Sequence, residues 1–316
     1  TGITYEDWDR LSNSLEKPFT NKLIHGLYPP GSVIKTGLGL IYITAPEIGP
    51  NWGVHCTASM PLGKRIFRCW KKDGHGNTGI TKAIRESCDD YFYKGSIQLG
   101  IKKMSDGLIR YGLGRKTGVD LPNEFVGTVP SREWKRSKYN KPWYIGETVN
   151  TSIGQGDFLT TPMQMAQFTA LMATAKLPRP QFANKIGDKE VKPEFEEVLN
   201  EDELKKLPII QKAMYEVCNY PSGTATGYLS SKIKIAGKTG TAQVVGILQN
   251  IKERELEHEM EYYSRSHAWF ASYGPYENPQ YVVLVMVEHG GHGGAAAGKI
   301  VSDIYNKLLE MEYIEK

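Results

Sequence analysis

"KIKIAGKTGTAQVVG", residues 232–246, decides how the chain is read. Before it the pattern is mainly helical; within it β-branched residues alternate with small and polar ones. Two more β-branched and aromatic runs follow, "HAWFASYGPY" at 267–276 and "YVVLVMVEHGG" at 281–291. Such runs, bounded by Gly and Pro, predict three strands, the last two joined by a turn around Pro275 and Pro279. A helix from about residue 296 then closes the chain, with Ile300, Ile304, Leu308 and Met311 on one face. Upstream, Thr161 as cap and Pro162 at the first helical position open a helix carrying Met165, Phe168, Leu171 and Met172 on one side. Residues 201–218 predict another helix, interrupted at Pro208 and followed by the glycine turn "YPSGTATG". Helices first and a sheet-and-helix unit second predict an α+β fold and not a βαβ ladder. The expected division is a helical subdomain over roughly 45–200 and a sheet-and-helix subdomain built from 201–316 together with 18–44.

The opening stretch also carries chemistry. Glycine inside a strand weakens it unless something must approach the backbone closely, and here Gly237 and Gly240 flank an ammonium, Lys238, and the hydroxyls of Thr239 and Thr241. A strand edge lined in this way can pair with an extended peptide and hold its carboxylate. The triplets Lys35-Thr36-Gly37 and Lys116-Thr117-Gly118 repeat the spelling but lie outside any strand pattern. A nucleophile is sought among serines three residues before a lysine, because on a helix i and i+3 are neighbours and an amine there reaches the hydroxyl. Ser14/Lys17, Ser32/Lys35 and Ser231/Lys234 qualify by spacing. Only Ser32 follows a Pro-Pro-Gly entry, which places it at a helix start, where free backbone N–H groups stabilise an oxyanion. Standing alone, that pair also reads as a capping serine with a surface lysine. A proton shuttle between nucleophile and leaving group is supplied, in the right chain order, by Ser87-Cys88-Asp89. Ser-x-x-Lys, a serine-led triad and Lys-Thr-Gly, in that order, form the three-part set of serine acyl transfer.

Composition narrows the partners. The chain has 316 residues, 40% of them hydrophobic and 23% charged, which suits a globule with a sizeable core. Its 39 basic and 35 acidic residues are mixed along the chain, so the formal charge of +4 forms no stripe to track nucleic acid. No run reaches the roughly 20 apolar residues of a membrane span, and "TGITYEDWDR" does not have the build of an export signal. The charged run at 250–266, "NIKERELEHEMEYYSRS", reads as a solvated excursion.

Cys56, Cys69, His75 and Cys88 are separated by 12, 5 and 12 residues, a soft-ligand set with the stoichiometry of a tetrahedral metal site. The spacing is not that of a standard zinc finger, so zinc, a disulfide between two of the cysteines and buried thiols are all open readings. His55 and Asp73 are substitute ligands. Cys218, on a helix pattern, and His267, His289 and His292, at strand or turn positions, read as packing or hydrogen-bonding residues.

With these residues in hand, the chain resembles the class B penicillin-binding proteins, and within them the elongation-specific penicillin-binding protein 2 group. The resemblance rests on "GLYPPGSVIK", "ESCDDYFY", "GLGRKTGVDLPNE", "GTVPSREWK", "KPWYIGETVNTSIGQGDFLTTPMQMA", "PSGTATG", "IAGKTGTAQ" and "HGGHGGAAAG", spanning roughly residues 18 to 310. It implies a penicillin-binding, serine β-lactamase-like fold and a D,D-transpeptidase that cross-links peptidoglycan stem peptides and is acylated by β-lactams. By the same resemblance Ser32 attacks, Lys35 is the general base, Ser87 relays the proton and Lys238 adds positive field. Thr239 and Thr241, with Gly240 between them, hold the substrate carboxylate, and the N–H groups of Ser32 and Thr241 form the oxyanion hole. Asp89 stands where the more general triad has an asparagine, and a carboxylate cannot donate as an amide does. Cys69, His75 and Cys88 fall where relatives carry zinc, and Cys56 fits if the loop before it is shortened; no organic cofactor is implied. The implied location is the periplasmic face of the bacterial inner membrane, with the anchor and pedestal outside this chain. The implied partners are a RodA-type glycosyltransferase and the rod-shape protein MreC. A D,D-carboxypeptidase or serine β-lactamase on the same fold, and a non-catalytic penicillin-binding sensor or scaffold, are the competing readings.

Overall fold

The alternation that begins at residue 236 forms strand Ala236–Ala242, the edge of an antiparallel three-stranded sheet whose middle is His267–Gly274 and whose other side is Tyr281–Val287. The register pairs Ala242 with His267 and Ala236 with Tyr273 on one side of the middle strand, and Ala268 with Val287 on the other. The computed structural model describes residues 2–244 and 257–314, so the first part of the charged run at 250–266, residues 250–256, lies outside the described residues. The edge strand starts later than "KIKI" suggests. Residues 232–235 are irregular because the Lys232 N–H donates to Asn306 Oδ1 and the Ile235 carbonyl accepts from Asn219 Nδ2, bonds to helices in place of a ladder.

Helix Gly293–Glu310 covers the sheet, with a different face inward from the one periodicity suggested. Ala297, Gly298, Val301 and Tyr305 are buried, and of the expected face only Leu308 packs against the core, half-buried, whereas Ile300, Ile304 and Met311 are exposed. Small residues win the inward face because the helix runs so close to its neighbours. A Cβ on Gly293 would stand 2.3 Å from the Trp269 carbonyl oxygen, and one on Gly298 would stand 2.9 Å from Tyr228.

On the side of the sheet where the edge strand meets the 3₁₀ turn Gly31–Ile34, helix Lys35–Thr44 is buried along its length. Two glycines inside it cost helix propensity of about 1 kcal/mol each, and packing explains both. A Cβ on Gly37 would lie 2.6 Å from Phe168, and one on Gly39 would meet Ile80, Ile84 and Ile210. Helix Glu201–Asn219 packs on this central helix and on the edge strand, and it runs through Pro208 without a break. Pro208 lies on the exposed side, where the carbonyl its ring leaves unpaired is beside water, so the expected interruption is absent. Residues 53–79 form two small antiparallel ribbons, Gly53–Cys56 with Gly76–Gly79 and Ser59–Leu62 with Arg65–Arg68. The arrangement is α+β. Among the described residues no helix is long and apolar enough to cross a membrane.

Candidate active site

Pro29 and Pro30 end the incoming chain and Gly31, at φ +54°, turns it. Only glycine takes that angle freely, and here space demands it too: a Cβ would lie 2.9 Å from the Thr241 carbonyl oxygen. The Gly31 N–H donates to the Gly154 carbonyl at 3.0 Å. Ser32 therefore sits, partly exposed, in a turn pressed against the backbone of the edge strand. The turn is 3₁₀ over Gly31–Ile34, and the α-helix begins at Lys35, whose N–H bonds the Ser32 carbonyl. The serine is thus in the tight entry turn and not at the α-helix start.

Two lysine ammonium groups converge on Ser87. Lys35 Nζ lies 2.6 Å from Asp89 Oδ1, 3.0 Å from the Ser87 carbonyl oxygen and 3.3 Å from Ser87 Oγ. Lys238 Nζ donates to the same Oγ at 2.9 Å and to the Thr239 carbonyl at 2.9 Å. Both lysines are fully buried. Burial, and next the charge of Lys35, push the Lys238 ammonium well below the usual lysine range. Burial likewise pushes Asp89 up, against the pull of Lys35. A hydroxyl bonded by two amines, one of them with a lowered affinity for its proton, has the connections that a proton relay needs.

Ser87 is held in a costly backbone state, φ +55°, which serine seldom adopts. Trp70 clamps it there. Its indole Nε1 donates to the Glu86 and Ser87 carbonyls, each at 3.1 Å, and its backbone N–H donates to Asp89 Oδ2 at 3.0 Å. Asp89 therefore has one oxygen on Lys35 and the other on Trp70, both bonds within the chain.

On the edge strand the close approach foreseen at Gly240 is made by the protein itself. A Cβ there would lie 2.9 Å from Val33 Cγ2 and 3.2 Å from the Pro30 carbonyl. Thr239 and Thr241 alternate with Lys238 and Gly240 along the strand, so they face the opposite side from the ammonium. Thr239 Oγ1 lies 2.8 Å from Thr224 Oγ1, and Gln155 Nε2 donates to the Thr241 carbonyl at 3.1 Å.

Cys56, Cys69, His75 and Cys88 are all buried, and their four ligand atoms lie within 4.8 Å of one another. Cys56 joins the set because its strand pairs with Gly76, beside His75. His75 Nδ1 is 3.4 Å from Cys69 Sγ and 3.7 Å from Cys56 Sγ, against the roughly 3.6 Å expected between S and N around tetrahedral zinc. No disulfide joins any of the three sulfurs. The substitutes are elsewhere: His55 points outward to Asn77 at 2.7 Å, and Asp73 is exposed. The Cys88 hydrogen bond, and then His75, pull the Cys69 thiol down to about 2, while burial pushes Cys56 up and its bond to Cys69 pushes Cys88 up. The donor set, its closeness and its burial fit one tetrahedral zinc ion.

Residues 4–309 match the penicillin binding protein transpeptidase domain. The chain belongs to this family. Over 316 residues it is 33% identical to the peptidoglycan D,D-transpeptidase MrdA of Haemophilus influenzae, a match covering 98% of this chain and 48% of that protein. This transpeptidase domain thus spans about half the length of the curated relatives it matches. It is also similar to the solved penicillin-binding protein 2 of Helicobacter pylori in complex with MreC, with a TM-score of 0.90 and 44% identity over 99% of this chain and 55% of that one. The Pseudomonas aeruginosa penicillin-binding protein 2 in complex with WCK 5153 aligns at a TM-score of 0.85 and 34% identity, over 98% and 67% of the two chains.

Within the transpeptidase domain, Lys35, Ser87, Asp89 and Lys238 form one bonded group, and the turn bearing Ser32 abuts Thr241 and Gly240. Trp70, Gln155 and Thr224 were not singled out by sequence. Trp70 adjoins Cys69, while Gln155 and Thr224 lie inside the glycine-punctuated strings "SIGQGD" and "PSGTATG", the one signal that marked them.

Proposed function

We propose that the chain carries out serine D,D-transpeptidation, cross-linking peptidoglycan stem peptides through an acyl-enzyme that β-lactams also form. The observation that carries this reading is the Ser87 hydroxyl, bonded by both Lys35 and Lys238 and placed beside the helix that follows Ser32. Ser32 Oγ attacks the carbonyl of the penultimate D-alanine as its proton passes to Lys35, acting as the neutral amine. The oxyanion forms against the N–H groups of Ser32 and Thr241. Ser87 hands its proton to the departing amine of the terminal D-alanine and takes the one held by Lys35 in exchange, so the peptide bond breaks as the ester forms. The amine of a neighbouring stem then attacks that ester, gives up a proton through the same groups and regenerates the hydroxyl. Thr239 and Thr241 hold the donor's carboxylate, and Asp89 fixes Lys35 without touching substrate.

Zinc held by Cys56, Cys69, His75 and Cys88 supplies structural bracing, tying the ribbons to the segment that carries Ser87. Cys88 lies between Ser87 and Asp89, and the Asp89 N–H donates to Cys69 Sγ at 3.3 Å, so ligands and proton relay share one piece of backbone. Placement at the periplasmic face of the inner membrane and work alongside MreC and a RodA-type glycosyltransferase are the matching cellular reading. Covalent labelling with a fluorescent penicillin, lost in Ser32→Ala, tests the nucleophile; labelling that survives this substitution rules it out. Intact mass then separates the chemistries: a persistent adduct supports the transpeptidase, and rapid hydrolytic turnover supports a β-lactamase or carboxypeptidase.

A further inference from the structure

The turn "YPSGTATG" after helix Glu201–Asn219 has no part in the steps above, yet it delivers one hydroxyl to the edge strand. Thr224 Oγ1 lies 2.8 Å from Thr239 Oγ1, with Thr224 partly exposed and Thr239 almost buried. The turn is anchored on every side. The Thr224 N–H donates to the Arg85 carbonyl at 3.2 Å, the Ala225 N–H to the Val217 carbonyl at 3.1 Å, and Ser222 Oγ to Glu86 Oε1 at 3.0 Å. Arg85 bonds Glu86 and Glu216 and lies over the Tyr220 ring at 4.4 Å. Gly223 leaves no room to shift, since a Cβ there would be 2.3 Å from the Val217 carbonyl. Thr224 is therefore fixed to the same segment that carries Ser87.

A hydroxyl has one proton and two acceptor lone pairs, and two hydroxyls in contact share a single proton between them. The Lys238 amine lies on the other side of the strand and bonds Ser87 and the Thr239 carbonyl, so Thr239 meets an anion with its own O–H. We propose that Thr224 is a positioning residue of the carboxylate subsite: it donates to Thr239, leaving the one Thr239 proton free to point at the substrate carboxylate. The inference rests on the transpeptidase reading and extends it. The opposite polarity would aim the Thr239 proton at Thr224 and offer lone pairs to an anion. A carboxylate at the end of the chain selects the first polarity, and each bond in such a chain strengthens the next.

The test is the second-order acylation rate with benzylpenicillin and with its methyl ester, which masks the carboxylate. Thr224→Val is expected to lose about tenfold toward the acid, the size of one hydrogen bond, with the ester rate unchanged. Thr224→Ser is expected to recover the acid rate to within about twofold, and Thr224→Val added to Thr239→Val to have no further effect on the acid-to-ester ratio. An acid-to-ester ratio unchanged in Thr224→Val overturns the inference whatever the absolute rates, because general damage lowers both substrates together. Absence of any wild-type acylation overturns the transpeptidase reading and this inference with it.

Discussion

Two buried polar clusters meet at residues 87–89 and are held by opposite means. Around Ser87 the charges find their partners within the chain: Lys35 has Asp89, and Lys238 has a hydroxyl and a carbonyl. Around His75 the balance is unfinished. Only the Cys69 thiol is pulled down, by its bond from Cys88, while Cys56 and Cys88 are pushed up. The first cluster is complete as folded; on the proposed function, a cation that turns its thiols into thiolates would complete the second. On that reading the roles separate: one cluster moves protons and the other fixes where they are moved.

The largest expected effect breaks the first cluster. Lys35→Met removes the base, and acylation by penicillin is expected to fall by about 10² to 10⁴-fold. It also strands Asp89, at a cost of about 3 kcal/mol in urea unfolding, the lower end of such costs because burial already pushes Asp89 up and lets it take a proton. Adding Asp89→Asn should return the stability without the activity. If it returns neither, the pairing of Lys35 with Asp89 is not what holds this cluster.

A second effect, comparable in stability but smaller in rate, addresses the thiols. Stripping zinc with a chelator, or Cys69→Ser, is expected to lower unfolding free energy by about 3–4 kcal/mol, the linkage value for metal at 100 to 1,000 times its dissociation constant. Acylation should decline by about tenfold or less. A thermal midpoint that ignores the chelator, in protein shown to contain zinc before treatment, would erase the contrast between the clusters.

The smallest effect concerns pH. The unfolded chain keeps Lys238 protonated up to about pH 10.5, whereas burial lets the folded chain release that proton earlier. Between the lowered pKa and 10.5 the unfolded state binds more protons, so stability from this group rises with pH, by at most about 1.4 kcal/mol per pH unit. Unfolding free energies of the wild type and Lys238→Met at pH 7.5 and 9.5 test the sign. The wild type should gain relative to the variant, and an equal or opposite change removes Lys238 from the account.

Much of this was legible in the chain. β-Branched runs wrote the three strands, and Thr161 with Pro162 wrote a helix start, because local sterics and capping decide both. Order along the chain singled out Ser32, Ser87 and Lys238, since a three-part set leaves few alternatives. What escaped depended on neighbours distant in sequence. Periodicity cannot tell that Ala297 and Gly298 must face the sheet while Ile300 and Ile304 face water, because that depends on how closely a helix can approach. Nor can it tell that Asp89 turns inward, which follows from Trp70 and Lys35 taking its two oxygens. Pro208 misled for a related reason: a helix tolerates proline where the unpaired carbonyl meets solvent, and solvent exposure is a tertiary property.

Gly240 reaches furthest beyond its own position. Where its side chain would begin, a methyl of Val33 and the carbonyl of Pro30 already stand. Any larger residue would act as a wedge, levering the serine's turn away from the edge strand. The spacing between turn and strand is thus gauged by an atom that is missing, and variation that loosens this contact while sparing the fold has to arise at some other position.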